Sequence, residues 1–187
     1  SLSSTVTWVS YEDSQGRFWV GTAYGLNLMD REKGTFKRYV PDGKPRSLAN
    51  GSVISIREDS KGRLWFGTDM GLHLYNPQSD DFTLYDARNG FADQGIRAII
   101  EDRHGNLWLG TNNGVVRFNP DTLAVKNYTR INGELIGGVA TNAALATRSG
   151  TMAFGSRNGL YFFDVDRLDN HQNETAPTIA LTDFRLF

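Results

Sequence analysis

The chain has 187 residues, no cysteine and a formal net charge of −1 at pH 7, and 39% of its residues are hydrophobic. This length suits one domain or at most two, and the lack of cysteine excludes disulfides and thiolate metal sites. The near-zero charge, with no run of Lys and Arg longer than two, argues against nucleic-acid binding.

A repeated phrase divides the chain. The first copy runs from Glu12 to Thr22, the second from Glu58 to Thr68, the third from Glu101 to Thr111, and a degenerate fourth from Thr147 to Ser156. By subtraction of residue numbers, the turn glycines lie 46, 43 and 45 positions apart: Gly16, Gly62, Gly105 and Gly150. A period of this length is typical of propellers and solenoids.

Each complete copy contains four short strand-like runs. In the second copy they are Gly51 to Ile56, Leu64 to Thr68, Leu72 to Tyr75 and Asp81 to Tyr85. The phrase Asp-x-x-Gly between the first two runs predicts a tight turn, because Asp caps its own backbone and Gly adopts a positive φ. Four up-and-down strands per repeat predict one propeller blade, and a solenoid of stacked four-strand units is the rival architecture.

We therefore predict an all-β fold, a β-propeller built of four-stranded antiparallel blades. About four blades lie in this chain, within residues 1–168, as part of a larger ring or an associating half-ring, with repeats near 5–40, 51–86, 95–129 and 138–164. The fourth copy lacks the outer, aromatic-flanked run. We expect residues 169–176 to be a linker and 177–187 to be either the first strand of a following domain or a closing strand. The missing initiator Met suggests an excised or processed piece.

Residues that recur in every copy are predicted to be scaffold. Tryptophans on a middle strand favour packing between blades over a sugar-stacking platform. The predicted structural set is Gly16, Trp19, Gly21, Gly62, Trp65, Gly67, Gly105, Trp108, Gly110, Gly150 and Gly155. The recurring hydroxyls Thr22, Thr68, Thr111 and Ser156 are expected to bond backbone groups.

The sequence predicts no catalytic residues, no metal site and no cofactor. The repeated Asp13, Asp59 and Asp102 give one carboxylate per blade, whereas calcium needs six to eight oxygens at one point. The phrase is also similar to the Asp-box of sialidase-like propellers, but nothing in the sequence gathers the arginines that sialidase chemistry requires. The three histidines share no spacing that would indicate a metal site or a catalytic set.

Candidate ligand contacts are the residues that break the repeat on the face formed by the strand 2–3 links and the blade-to-blade connections. Loops that vary on a regular scaffold are where binding usually occurs. The candidates are Tyr24, Arg46, Met70, Asn89, Phe91, Asp93, Gln94, Asn112, Asn113, Arg130, Asn132, Arg157 and Asn158. Arg117 also departs from the repeat, because the other copies have Leu28, Leu74 and Phe162 at its position. It is expected to extend outward, pair with a carboxylate or reach the central channel.

The string from Glu58 to Thr68, followed by Gly71 to Tyr75, resembles the two-component regulator propeller repeat. All four copies match this pattern over Thr5 to Asp164, although Ala153 stands where the others have Trp. Family propellers have about seven blades, so four blades imply the C-terminal part of a ring. The segment from Pro177 to Phe187 resembles the first strand of the immunoglobulin-like domain that follows such propellers.

The resemblance implies a periplasmic sensor segment of a bacterial transmembrane receptor. In the family, the propeller is joined through the immunoglobulin-like module and one membrane-spanning helix to a histidine kinase, hybrid regulator or diguanylate cyclase. The implied partner is an oligosaccharide or other small molecule, and contact with the membrane would come only from regions outside this chain. The alternatives are a structural or dimerising segment, or a glycosidase- or lyase-type propeller. Because open blade ends expose apolar faces, self-association is also expected.

Overall fold

The described part of the chain folds as four successive antiparallel blade sheets and one small two-stranded sheet, which confirms the predicted all-β propeller class. A computed structural model describes residues 1–131 and 134–168, and all observations below refer to those residues. The first three sheets have four strands and the fourth has three, and within each sheet neighbouring strands follow one another along the chain. The predicted linker, 169–176, and the predicted following or closing strand, 177–187, lie outside the described residues.

The strands are assigned to blades as follows. Blade 1 contains β1 (Thr7–Glu12), β2 (Phe18–Thr22), β3 (Gly25–Asp30) and β4 (Thr35–Tyr39). Blade 2 contains β5 (Val53–Glu58), β6 (Leu64–Thr68), β7 (Gly71–Asn76) and β8 (Asp81–Tyr85). Blade 3 contains β9 (Ile96–Glu101), β10 (Leu107–Thr111), β11 (Gly114–Phe118) and β12 (Val125–Tyr128). Blade 4 contains β15 (Val139–Ala146), β16 (Thr151–Ser156) and β17 (Gly159–Asp164), after a small hairpin of β13 (Arg130–Ile131) and β14 (Glu134–Leu135).

Helical structure among residues 1–131 and 134–168 is confined to two short pieces. A 3-10 helix spans Ala87–Asn89, and a single turn, α1 (Val165–Leu168), follows the last strand. No helix in the described ranges has the length and apolar character required to cross a bilayer.

The expected turn joins the first two strands of each blade, and its aspartate does more than cap it. In blade 2 the Asp59 carbonyl accepts a hydrogen bond from Gly62 N at 2.9 Å, and Gly62 has φ +75°. The Asp59 carboxylate accepts from the backbone N–H groups of Lys61 and Arg63 and from Trp65 Nε1, the last at 2.9 Å. One buried carboxylate therefore fixes the turn and the middle-strand indole together.

Blade 4 lacks both members of this pair. Thr147 stands at the aspartate position, where its Oγ1 accepts from Thr151 N at 2.9 Å, and Ala153 replaces the tryptophan. Without an indole N–H to satisfy, a hydroxyl is sufficient to hold the turn.

The middle-strand tryptophans pack between successive blades. Trp19 is buried, with its ring centroid 5.4 Å from that of Phe66 in the next blade. Trp65 meets Phe118 at 5.9 Å and Trp108 meets Phe163 at 4.8 Å. Each of blades 1 to 3 thus presents an indole-bearing face to its successor, and the core of the described residues consists of three such layers.

Two residues after each middle-strand tryptophan, a glycine lets the next blade come close. A Cβ on Gly67 would lie 2.7 Å from the carbonyl oxygen of Ile96 in blade 3. Real Cβ atoms essentially never approach backbone oxygen this closely, so the position requires glycine. The first strands of successive blades contact one another.

A serine–glutamate contact, here called the latch, crosses the first two blade junctions. Ser14 donates from its backbone N and its Oγ to Glu58, at 2.7 and 2.6 Å. Ser60 donates to Glu101 in the same way, at 2.8 and 2.6 Å. The third junction uses different groups, because Arg103 and His104 both bond Asp166.

A side chain at the third position of the third strand anchors the connection that enters its blade. Asn27 Oδ1 accepts from Ser3 N at 2.8 Å, and His73 Nε2 accepts from Ala49 N at 3.0 Å. Tyr161 accepts from the N–H of Gly137 at 3.3 Å. Burial lowers the pKa of His73 to about 4, so its imidazole is neutral at pH 7.

The two outer faces of the blade series carry exposed apolar side chains. Leu160 and Phe162 on β17 are 55% and 56% exposed, and Leu145 on β15 is 61% exposed. By contrast, Leu72, which holds the position of Leu160 in blade 2, is fully buried against blade 3. On blade 1, Val6 and Trp8 are similarly exposed.

Candidate functional site

The strand 2–3 links all lie at one end of the blades, and a hydroxyl braces each of them. In blade 2, Thr68 Oγ1 donates to the Gly71 carbonyl at 3.1 Å and accepts from Met70 N at 3.1 Å. Thr22, Thr111 and Ser156 make the same contacts in the other blades. The brace holds the two link residues in a fixed position at this end of the blade.

A β-bulge near the start of the first strand in blades 1 to 3 adds a second source of side chains at this end. In blade 3, Ile96 pairs with Thr111 and Ala98 pairs with Gly110, which leaves Arg97 as the extra residue. Trp8 and Ile54 are the extra residues of blades 1 and 2. Bulges re-aim a side chain away from the regular alternation, and in blade 3 the re-aimed side chain is a cation.

A cleft of about 550 Å³ opens between blades 3 and 4 at the link end. Its walls come from β9, the β10–β11 link, the start of β15 and the β16–β17 link. The lining residues are Arg97, Asn112, Gly137, Gly138, Val139, Ala140, Thr141, Arg157 and Asn158. The volume falls in the range of small-molecule sites, and the walls are rich in amide and guanidinium groups.

The two arginines of this cleft differ in how their charge is compensated. Arg97 donates from Nε to Asn112 Oδ1 at 2.8 Å, and its Nη2 lies 3.2 Å from Asp69 Oδ1 of blade 2. Arg157 is exposed and makes no hydrogen bond or ion pair with residues 1–131 or 134–168. The cleft therefore has one oriented guanidinium and one that is available to a ligand.

We expected no clustering of arginines at one site, and for Arg97 and Arg157 this expectation is wrong. Arg97 and Arg157 are far apart in sequence, but the bulge in β9 and the braced link of blade 4 bring them to the same cleft. No acidic residue or tyrosine lines the cleft within the described part of the chain. The lining therefore does not match the nucleophile and acidic partners that sialidase chemistry requires.

Three of the predicted ligand contacts, Asn112, Arg157 and Asn158, line this cleft. Arg97 and Thr141 also line the cleft but were not predicted, because they lie on first strands, whereas the repeat varies visibly in the links and connections. The available signal was that a charge stands at position 97, where the first strands of blades 1 and 2 have Trp8 and Ile54.

Other predicted contacts on the links do not line the cleft. Tyr24 is 71% exposed and Met70 is half exposed, each at the second link position of its blade. Asn113 is exposed, and its N–H is held by Thr111 Oγ1 at 3.2 Å.

The candidates in the blade connections mostly have structural partners. Arg46 pairs with Asp81 at 2.8 Å and borders a second cleft, of about 660 Å³, beside β8. Asn89 Oδ1 accepts from Asp86 N at the start of the 3-10 helix. Asp93 Oδ1 accepts from Gly95 N at 2.8 Å and shapes the approach to β9. Gln94 is half-buried.

The prediction that Phe91 contacts a ligand is wrong, because its side chain is buried and only 3% exposed. It packs with Phe118 at 5.6 Å between ring centroids and belongs to the blade 2–blade 3 core. Arg130 is exposed on β13, and Asn132 lies outside the described residues.

Arg117 stacks on the indole of its cross-strand partner. Its guanidinium carbon lies 5.9 Å from the ring centroid of Trp108, within the range of a cation–π contact. No group of three His, Asp or Glu side chains within the described ranges is arranged to hold a metal ion.

Three stretches of the chain match the family model described as Two component regulator propeller: residues 1–24, 47–70 and 90–113. Each match covers the first two strands of one blade and ends in its strand 2–3 link. The matched stretches thus contain the Asp, Trp, Gly and Thr positions whose contacts are described above. A comparison with curated proteins gave no match.

Solved structures that resemble the chain include two from B. thetaiotaomicron. The extracellular domain of a protein described as hybrid two component system BT3049 is 26% identical, with a TM-score of 0.80 over 91% of this chain. That of hybrid two component system BT4673 is 22% identical, with a TM-score of 0.74 over 98% of this chain. PorZ of P. gingivalis, a surface component of the type-IX secretion system, is 21% identical over 89%, with a TM-score of 0.65. The chain spans 23%, 25% and 25% of these structures, respectively.

Proposed function

We propose that this chain, whose repeats are those of the two-component regulator propeller, is an extracytoplasmic ligand-binding segment of a bacterial transmembrane sensor. The extracellular placement of the two B. thetaiotaomicron structures supports a periplasmic location. The proposed role is recognition of an oligosaccharide or other small solute, without catalysis in this chain. The histidine kinase or diguanylate cyclase output would belong to other parts of the protein.

The observation that carries this proposal is the cleft between blades 3 and 4. The scaffold residues repeat from blade to blade, but the lining at the link end does not, as Arg97, Asn112 and Arg157 show. A rigid frame with individual polar groups at one cleft is the arrangement expected of a recognition site. A ligand there would change signalling only if it bound two receptor states with different affinity.

A ligand screen followed by thermal denaturation tests the proposal. The chain is to be screened with neutral and acidic oligosaccharides, and a ligand at 100 times its dissociation constant adds about 2.7 kcal/mol to the free energy of unfolding. For a ligand that raises the melting temperature, Asn158→Ala is expected to reduce the shift. The matched control is Asn113→Ala, which removes the same side chain at the same link position of blade 3, outside the cleft.

Two results would contradict ligand binding at this site. One is that no oligosaccharide changes the melting temperature; the other is that Asn113→Ala and Asn158→Ala reduce the shift equally. In the full-length receptor, Asn158→Ala should also lower the kinase or cyclase response to the same oligosaccharide.

A second candidate function is association through the open blade faces. It is favoured by the exposed Leu145, Leu160 and Phe162 on blade 4 and by Val6 and Trp8 on blade 1. The corresponding faces of the internal junctions are buried, so the partner we propose is a second copy of this chain that places its blade 1 on blade 4. In this alternative the segment has a structural role in the sensor and makes no ligand contacts.

A further inference from the structure

The blade 3–blade 4 cleft has an excess of unused hydrogen-bond donors. Arg157 donates to no described residue, and Arg97 Nη1 has no acceptor in the described part of the chain either. Asn112 Nδ2 has only a long contact, 3.4 Å, with Asp93 Oδ1. These groups converge on one space, and an amide and two guanidiniums together favour a ligand rich in acceptors.

The charges around the cleft also favour a ligand rich in hydrogen-bond acceptors. Asp69 compensates Arg97, and Asp93 contacts Asn112, but no carboxylate among the described residues compensates Arg157. Guanidinium groups bind planar or tetrahedral oxyanions through paired N–H donors, and such charge-assisted hydrogen bonds are about twice as strong as neutral ones.

We infer that the cleft binds the oxyanion group of a small ligand, a carboxylate, sulfate or phosphate, with Arg157 as the direct charge partner and Arg97 and Asn112 as oriented donors. This inference rests on the proposed function, because it specifies the ligand class of the same site. Arg97 is held by Asn112 and Asp69, so its donors are oriented before a ligand arrives. Arg157 is exposed in the β16–β17 link and binds the same anion from the blade 4 side of the cleft.

Calorimetric titration at low and at physiological ionic strength tests the inference. The probes are trigalacturonate, the neutral galactotriose, a sulfated disaccharide, and inorganic sulfate and phosphate. At least one oxyanion probe is expected to bind with a dissociation constant about tenfold or more below that of galactotriose. Salt should weaken this preference, because the cleft is open to solvent.

Arg157→Gln should abolish the preference for the oxyanion probe while leaving the melting temperature of the chain unchanged, because Arg157 supports no described contact. Arg148→Gln is the matched control. Arg148 is also an exposed arginine of blade 4 without a partner among the described residues, but it lies in the β15–β16 turn at the opposite end of the blade. This variant should keep the preference.

The probes also distinguish the source of the anion. If trigalacturonate binds tightly, the anion is a carboxylate; if the sulfated disaccharide does, it is a sulfate ester. If only the inorganic ions bind tightly, the ligand is a free anion. Each of these three results supports the inference. Binding of galactotriose at least as tight as that of every oxyanion probe, unaffected by Arg157→Gln, would overturn it and leave the proposed function standing. Absence of binding by every probe and by every screened oligosaccharide would overturn both.

Discussion

At the residue scale, the aspartate–tryptophan pair explains why one phrase recurs so closely. Asp13, Asp59 and Asp102 each accept an indole N–H at 2.8 to 2.9 Å while holding a turn. Burial by itself raises the pKa of Asp13, but hydrogen bonds from Trp19 and Arg17 outweigh it, and the net pKa lies below the ordinary value. Loss of the aspartate alone would leave the buried indole N–H without its acceptor, whereas loss of the tryptophan leaves the carboxylate with its other donors, such as Arg17 Nε on Asp13 at 2.6 Å.

Replacing Asp59 by Ala should therefore be costly. The substitution leaves Trp65 Nε1 and two backbone N–H groups without their acceptor, and we expect the free energy of unfolding to fall by about 3 kcal/mol. Urea denaturation followed by circular dichroism measures the change. Thr147→Ala is the matched control, since no indole depends on that position, and it should cost only about 1 kcal/mol. Similar losses in the two variants would show that the indole contact contributes little.

At the scale of the element, the third strand of a blade anchors the connection that enters it. Asn27, His73 and Tyr161 do this with three different side chains, and in blade 3 the apolar Val116 packs in the same cluster as Phe91. The position requires a group that fills the space beside the incoming chain. Its chemistry is free to vary because the partner differs in each blade.

The anchor in blade 2 predicts a pH dependence of stability. The pKa of His73 is about 4 in the folded chain, below its ordinary value of 6.5, so the unfolded chain takes up the proton first as the pH falls. The contribution is fully present above pH 6.5 and is lost as the pH falls towards 4. Between pH 7 and pH 5 the loss should be about 2 kcal/mol.

The variant His73→Asn isolates this contribution. Asparagine performs the same task at position 27 and does not titrate, so the variant should lose less stability than the wild type over the same range. The measurement is the free energy of unfolding in urea at pH 5 and pH 7 for both proteins. Parallel losses would mean that His73 is not the group responsible.

At the scale of the whole molecule, the blade series ends in surfaces that resemble its own internal junctions. Leu160 corresponds in the repeat to residues that are buried in every preceding blade, including Leu26 and Leu72. The loss of tryptophan at Ala153 makes this last face smaller, but it remains apolar. Contiguous apolar surfaces of this kind usually mark an interaction site.

The double variant Leu160→Glu and Phe162→Glu tests association through this face. Wild-type chain should show a mass in sedimentation that rises with concentration, and the variant should weaken association at least about 100-fold, because each buried side chain contributes about 1.5 to 3 kcal/mol. Leu123→Glu, on an exposed turn before β12, controls for an added charge and should associate like the wild type. A wild-type chain that stays monomeric at all concentrations would contradict the proposed self-association.

The fold could be predicted from the sequence because its determinants are local and repeated. The Asp-x-x-Gly phrase specifies a turn within a few residues, and the period sets the number of strands in each blade. The cleft is different, because Arg97 reaches it only through a bulge whose register depends on pairing with β10. Phe91 shows the same limit, since an aromatic residue in a connection has no local signal that separates a buried anchor from an exposed contact.

The latch between blades has a consequence for how such a chain changes in length during evolution. Blades 1 and 2 each carry a serine that donates to the next blade, and blades 2 and 3 each carry the glutamate that accepts from the blade before. A whole unit duplicated in this region would meet a complementary group on both sides, so the array can grow or shrink without new contacts having to arise at each junction. The junction that joins Arg103 and His104 to Asp166 has lost this interchangeability, and copying across it would leave those groups unmatched.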